Sequence, residues 1–580
     1  MATDHTDTGR GRRGYTRTIP WLVVGFAALG LRLYGLRYGL PAVYNPDEVA
    51  IMSRTLAFAK GDLNPHNFLY PTAYFYALFA WEGLTALLAV ATRSVASFGE
   101  FQREFFLDPT RVFVAGRVLT ALIGTATAIA TGVLGARLWG RTAGLAAAAF
   151  VAVSPLHVLN SHYVKHDVPV SLLVVLAYLS YVRLWDLPPE GGRFRLQAEV
   201  LAAAVTGVAF STHYYAIFLA IPLAWSVARG TETTGEAITR VARAGAVSAV
   251  VFFALSPFIL VEPGTAIRDI VANRQIVVDR AVEGLGYIGS ATRYVRLLMA
   301  ETVGLPAAAL AAIGLILGLW RQPARTAWLL AFAVPFLLFI ASTYPASRYL
   351  VPLVPFVALL AAFAIEALWT RRQVLGWAAV VASVVIAASE SLSIDRFIRQ
   401  TDTRTLALEF IRARVPDGAT VLTQPYSVPM ETTTDALREA VQRTGKAMPT
   451  KTRLQIERSP YPAPAYRVIY LGYGLDADKL YLPIDQLGSS DPLAVLRREH
   501  VAFVVLKRYN DGDPATLPFL SALAREGRRL AVFSPYRSTA GPGGGPQAEP
   551  FLHNTDVRIV AALERPGPIV EIWQIDGPGS

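Results

Sequence analysis

Twelve apolar runs follow one another between residues 21 and 392, at 21–40, 70–92, 111–135, 143–163, 168–184, 197–211, 214–228, 242–261, 302–320, 326–342, 349–370 and 374–392. Many approach the roughly 20 residues that an α-helix needs to cross a bilayer. A chain placed in lipid must bond every backbone N–H and C=O internally. Repeated runs of this length therefore leave one architecture, a polytopic helical bundle. The first run is too long for the core of a cleaved leader, and further runs follow it.

Charge divides the chain in two. Residues 395–580 hold 44 of the 97 Asp, Glu, Lys and Arg residues, about 24% of their positions, against about 13% for residues 1–394. The first figure is ordinary for a soluble domain, which averages roughly 25%; the second is far below it. This excludes a single soluble globule and a disordered chain. The expected organisation is a polar segment 1–20, a membrane domain 21–394 of about 11–13 spans with an outer loop at 41–69, and a soluble α+β domain at 395–580. In the last part, Ala419–Leu422, Tyr466–Leu471, His500–Leu506, Val557–Leu563 and Ile569–Ile575 read as strands, and Gly541–Pro546 as a loop. No cysteine is present, so disulfides, thiolate metal sites and cysteine nucleophiles are excluded.

The net charge of +11 sits mostly in the apolar part, in short loops. This is the pattern by which a membrane protein orients itself, rather than a nucleic-acid footprint. Arg10, Arg12, Arg13 and Arg17 place the N-terminus in the cytoplasm, as do Arg137–Arg141, Arg321–Arg325 and Arg371–Arg372 for their loops. Twelve crossings would put those three loops outside. Removing one crossing between residues 41 and 135 returns them to the cytoplasm, so 70–92 or a neighbour is expected to be juxtamembrane, re-entrant or broken. The C-terminal domain is then outside, together with 41–69, 164–167, 262–301 and 343–348, and the chain lies in the inner or plasma membrane.

Ionisable groups are costly at membrane depth, so the few in the apolar part stand out. Asp47 and Glu48 follow the first run; Gly61-Asp62-Leu63-Asn64-Pro65-His66 and the aromatic stretch Tyr70, Tyr74, Phe75, Tyr76 come after them. A carboxylate among such rings suits a general base. Asn160–Asp167 packs His162, Lys165, His166 and Asp167 between two runs. Lys and His can hold a phosphate, and His166 with Asp167 can hold a divalent metal. His213 lies between two further runs, and Arg348-Tyr349 precedes Pro352 and Pro355. Arg348 on the outer side runs against the usual charge bias, which points to an anionic ligand. The bland readings are solvated loop charges, interfacial aromatic anchors and a snorkelling Arg.

Asp47-Glu48 with Gly61–Pro65 and Tyr70-Pro71, then Asp167 and the Arg348–Pro355 stretch, resembles the GT-C superfamily of membrane glycosyltransferases. The pattern is closest to glycosyltransferase family 39 and its bacterial relatives, the protein O-mannosyltransferases and aminoarabinose transferases. The aminoarabinose transferases carry Lys where this chain has Tyr70. The resemblance implies an inverting transferase that takes a sugar from a polyprenyl-phosphate donor to a lipid, protein or glycan acceptor on the outer face. It implies Asp47 as base, Glu48 as its positioning partner, and His162, Lys165, His166, Arg348 and Tyr349 around the donor phosphate. Tyr70, Asp167 and His213 would line the pocket. No cofactor is implied, and a divalent metal at His166 and Asp167 is compatible.

Two other classes share the composition. A transporter or lipid flippase of envelope precursors fits the spans, but such folds are often built from repeats, and none is visible. A membrane scaffold explains the tail and leaves 162–167 unexplained.

Overall fold

The computed structural model describes residues 8–188, 191–282, 285–474, 476–488, 491, 493–508, 517–537, 551, 557 and 559–575. The Gly541–Pro546 loop lies outside the described residues. The first two-thirds is a helical bundle. Among the described residues, seven helices are long and apolar enough to cross a membrane, including Ala73–Ala91, Thr110–Trp139, Asp167–Trp185, Ser347–Trp369 and the helix beginning at Gln373. Three shorter apolar helices, Thr18–Leu33, Arg141–Ala152 and Tyr214–Ala228, accompany them.

No break falls in the two long helices between residues 70 and 139, Ala73–Ala91 and Thr110–Trp139. The breaks fall later. Gly286–Glu301 and Leu305–Arg321 meet at a 115° bend, where Gly304 takes φ +76°, a conformation glycine adopts without the Cβ penalty. The run 143–163 stops at Ala152 and restarts as the short helix Pro155–Asn160, capped by Ser154 with Pro155 at its first position. Hydropathy reports apolar length and misses such breaks.

Small residues draw the helices together. A Cβ on Gly132 would sit 2.6 Å from the Cβ of Ala148, and one on Gly314 would sit 1.9 Å from the carbonyl oxygen of Leu360. Helix Val354–Trp369 is buried from Val354 to Ile365 and forms the centre of the bundle. Polar groups pair across the interior: the Tyr178 hydroxyl donates to the Leu329 carbonyl at 2.9 Å, and the Trp328 indole to Ser226 at 2.9 Å.

The bundle has two distinct ends. At one, Trp139 donates to Gln322 at 3.2 Å and Arg325 to the Leu138 carbonyl at 3.1 Å, which gathers two of the basic loops. At the other lie the first long loop and the soluble domain. Helix Gln373–Ile398 leads to that domain through four residues, and helix Thr403–Arg414 begins it, capped by Asp402.

The domain holds one six-stranded sheet: β1 (Thr420–Thr423), β2 (Arg467–Leu471), β3 (Leu480–Leu482), β4 (Phe503–Arg508), β5 (Gly527–Phe533) and β6 (Ile569–Ile575), in the order β3-β2-β1-β4-β6-β5. The first four in that order run parallel, with Val421 opposite both Val468 and Phe503; β6 is antiparallel to β4 and β5. The near-continuous apolar character of β4 fits a strand covered on both faces. Val557–Leu563, expected as a strand, contributes only a bridge from Leu563 to Tyr536 among its described residues. β3 and β5 were not expected: β3 is three residues long, and β5 carries Arg528 and Arg529.

Candidate active site

Helix Pro46–Ala57 starts the site. Asn45 caps it by accepting from the Asp47 backbone N–H at 3.1 Å, and Pro46 occupies the first turn, where no N–H is needed. Asp47 and Glu48 therefore stand at the positive end of the helix. Being adjacent on a helix, they point different ways.

Asp47 faces two cations. Lys165 Nζ lies 3.1 Å from its Oδ2, and Arg348 donates to the same oxygen through Nη1. The Lys165 side chain is 3% exposed, that of Arg348 16% and that of Asp47 33%, so the carboxylate is the accessible member of the group. Burial lowers the pKa of the Lys165 ammonium, and Asp47 opposes this. Arg348 also stacks over the Tyr349 ring at 5.1 Å. Residues 47, 165 and 348, remote in sequence, thus form one cluster with a net positive charge.

Glu48 faces inward and is fully buried. Its carboxylate takes a two-pronged contact from Arg117, at 2.9 and 2.8 Å, and a third bond from the Val164 backbone N–H at 3.0 Å. Arg117 in turn donates to the carbonyls of Leu36 and Tyr38, both at 2.7 Å. The pair holds the loop carrying Lys165 and the segment leading to Asp47 against one helix. Arg117 was not singled out from the sequence, although a lone Arg inside an apolar run is itself a signal.

His166 and His213 sit in an aromatic box. The His166 ring stacks on Tyr70 with centroids 4.2 Å apart and meets Tyr74 and Phe75 edge-on at 4.8 and 5.0 Å. His213 meets Tyr70 at 5.3 Å and Tyr215 at 3.7 Å. Tyr70 lies within electrostatic reach of Arg348, Asp167 and Asp47, which places the box beside the charged cluster. Asp167 opens helix Asp167–Trp185 and is 7% exposed. Among the described residues no three His, Asp or Glu side chains converge in a manner that would hold a metal. His166, offered as a ligand, is instead enclosed by rings.

His162 is turned away from the cluster. Its ring nitrogens contact the carbonyl oxygens of Val158 and Tyr34 at 2.9 and 2.8 Å, and Asp395 lies 3.7 Å off. The neighbouring turn is pinned from the first span by Arg32, which reaches Ser161, Ala152 and Val151. Glu301 was also missed. It accepts from Ser347, beside Arg348, at 2.5 Å, and from the Val557 backbone at 3.0 Å, and so ties the site to the tail. The first loop is fastened at its far side: His66 bridges Asp62 and Glu262, each at 2.9 Å, and Asp269 accepts from the Phe68 N–H at 3.0 Å.

Residues 110–260 match the family model described as dolichyl-phosphate-mannose-protein mannosyltransferase. Among solved structures, ArnT from Cupriavidus metallidurans bound to undecaprenyl phosphate superposes over 95% of this chain and 98% of its own, with a TM-score of 0.50 and 14% identity. The chain has the GT-C fold. The oligosaccharyltransferase AglB from Archaeoglobus fulgidus, in complex with an inhibitory peptide and a dolichol-phosphate, covers 85% of this chain and 70% of its own at 13% identity and a TM-score of 0.49. A zinc and sulfate complex of the Archaeoglobus fulgidus oligosaccharyltransferase covers 84% and 68% at 10% identity and a TM-score of 0.47. No curated protein sequence matches. The resemblance seen in the loop motifs therefore holds at the level of fold.

Proposed function

We propose that the chain is an integral-membrane inverting glycosyltransferase that moves a sugar from a polyprenyl-phosphate donor to an acceptor hydroxyl. One observation carries this: an accessible carboxylate, Asp47, at a helix N-terminus and held by two cations, the buried Lys165 and the half-buried Arg348. The lipid phosphates named with ArnT and AglB, and the mannosyltransferase family match, support a donor of this class.

In this reading the acceptor O–H gives its proton to Asp47 as its oxygen attacks the anomeric carbon. The bond from that carbon to the phosphate oxygen breaks, and the electron pair leaves with the lipid phosphate. A single displacement inverts the anomeric centre. The phosphate gains charge as it departs, and Lys165 and Arg348 are placed to neutralise it. Glu48 acts as a positioning residue through Arg117 and Val164. Tyr70, Tyr349, His166 and His213 form the wall along which the sugar lies, and Asp167 helps to hold Lys165 charged. The basic loops face the cytoplasm and the Asp47 end faces outward.

The test is to incubate purified protein in sealed vesicles with labelled polyprenyl-phosphate sugars and an envelope extract. Label joined covalently to an acceptor, with free polyprenyl phosphate released in equal amount, is the expected result. Movement of intact donor across the bilayer without transfer would replace this reading with a flippase.

A further inference from the structure

A cavity of about 260 Å³ opens on the other side of the segment that leads to Asp47. One wall is the turn Gly35–Leu40, just beyond the first apolar helix; the opposite wall is Ile398–Asp402 and Thr405, where the last span passes into the soluble domain. It is smaller than the roughly 300 Å³ at which drug-sized sites begin, which suits a headgroup better than a whole lipid.

The charges lining it do not cancel. Arg37 is exposed and has no side-chain partner among the described residues. Arg399, also exposed, lies over the Tyr34 ring at 4.5 Å, donates to the Tyr34 hydroxyl through Nη1, and pairs with no carboxylate among the described residues. The one acidic residue in the lining, Asp402, is already bound by both prongs of Arg404, at 2.9 and 2.8 Å. The Arg37 guanidinium and the remaining N–H groups of Arg399 thus line a small hollow without a carboxylate of their own, and a guanidinium fork matches a phosphate.

The backbone makes room for this. Gly35 takes φ +96°, and a Cβ there would stand 3.3 Å from Cγ of Arg399. The wall is also rigid, because Arg117 holds the carbonyls of Leu36 and Tyr38 from behind. The cavity sits where two spans end, with Leu33 41% and Leu392 36% exposed nearby, so acyl chains have an apolar surface beside it.

We propose that this cavity is a binding site for the phosphate-bearing headgroup of a lipid at the bilayer surface, read by Arg37 and Arg399 and separate from the Lys165–Arg348 cluster. Such a lipid is either a bilayer phospholipid or a phosphorylated acceptor. The site stands independently of the transferase reading, and the segment 36–48 joins it to Asp47.

The experiment uses full-length protein in a neutral sugar detergent, titrated with dihexanoyl phosphatidic acid and read by tryptophan fluorescence. Arg37→Gln/Arg399→Gln is expected to weaken binding at least tenfold, and Arg37→Lys/Arg399→Lys by about threefold, since charge is kept and the fork lost. Arg396→Gln, an exposed Arg on the same helix outside the cavity, should change it less than twofold. Unaltered binding by the Arg37/Arg399 variants, or an equal loss in Arg396→Gln, would overturn the site. Inorganic phosphate competing at the same affinity as phosphatidic acid would overturn the lipid assignment. A fully loaded site with higher transfer rates on phosphorylated acceptors alone would identify the acceptor as the source.

Discussion

Asp47→Asn should separate chemistry from binding. The amide keeps the shape and the cap of helix Pro46–Ala57 but removes the proton acceptor, and a general base contributes about 10²–10⁴ in rate. Turnover should fall by that factor, or about 3–5.5 kcal/mol of barrier. The same change raises the cluster charge from +1 to +2, because Lys165 and Arg348 lose their shared carboxylate. For a phosphate about 6 Å from Asp47, with an effective dielectric of about 40 at this partly exposed site, one unit charge is worth about 1.4 kcal/mol. The variant should therefore bind undecaprenyl phosphate about tenfold more tightly while transferring sugar hardly at all. Single-turnover transfer of labelled sugar and equilibrium binding of undecaprenyl phosphate on the same preparation measure both quantities. Near-normal turnover would remove Asp47 as the base. Weaker phosphate binding would show that Asp47 holds the donor rather than competing with it.

Three further outcomes follow from the geometry. Glu48→Gln strands the buried Arg117 charge and should cost about 3–5 kcal/mol, while Glu48→Gln/Arg117→Met should recover much of that loss; thermal unfolding in detergent reads both, and an additive double variant would contradict the pairing. Gly314→Ala must push helix Leu305–Arg321 off the Leu360 carbonyl and should destabilise by about 1–3 kcal/mol or more, whereas Gly83→Ala, which meets nothing within 4 Å, should be neutral by the same measurement. Burial, reinforced by Arg404, brings the Lys507 ammonium down from 10.5 to about 8. Across that window the unfolded chain holds a proton that the folded one lacks, so stability of the soluble domain rises with pH from about 8 to 10.5 and is lower below it. Lys507→Met should flatten that rise in urea midpoints read by pulse proteolysis of the full chain.

The site was legible because charge is scarce in the bundle. Asp47, Lys165 and Arg348 stood out against an apolar background, and the fold brings these three together. His162 stood out for the same reason but lies apart from the three, against the Val158 and Tyr34 carbonyls, since a polar group inside a bundle must bond to something whether or not it meets substrate. Composition cannot tell these roles apart. Arg117 and Glu301 were lost inside apolar or mixed helices, where their partners lie 69 and 46 residues away in sequence. The sheet was read where strands are apolar and missed where they are short or charged. The helix breaks at 153–154 and 302–304 were hidden because hydropathy averages over them.

Only four residues part helix Gln373–Ile398 from helix Thr403–Arg414, so the membrane and soluble parts are joined by something close to a drive shaft. One residue added within 399–402, a non-helical turn, would shift the sheet relative to the last bundle helix. The contacts that now mesh across the joint, Tyr44 with Thr405 at 2.7 Å and Arg404 over the Tyr44 ring at 3.9 Å, would be thrown out of phase three residues from Asp47. The length of this joint therefore sets how the soluble domain seats against the segment that leads to the Asp47 carboxylate.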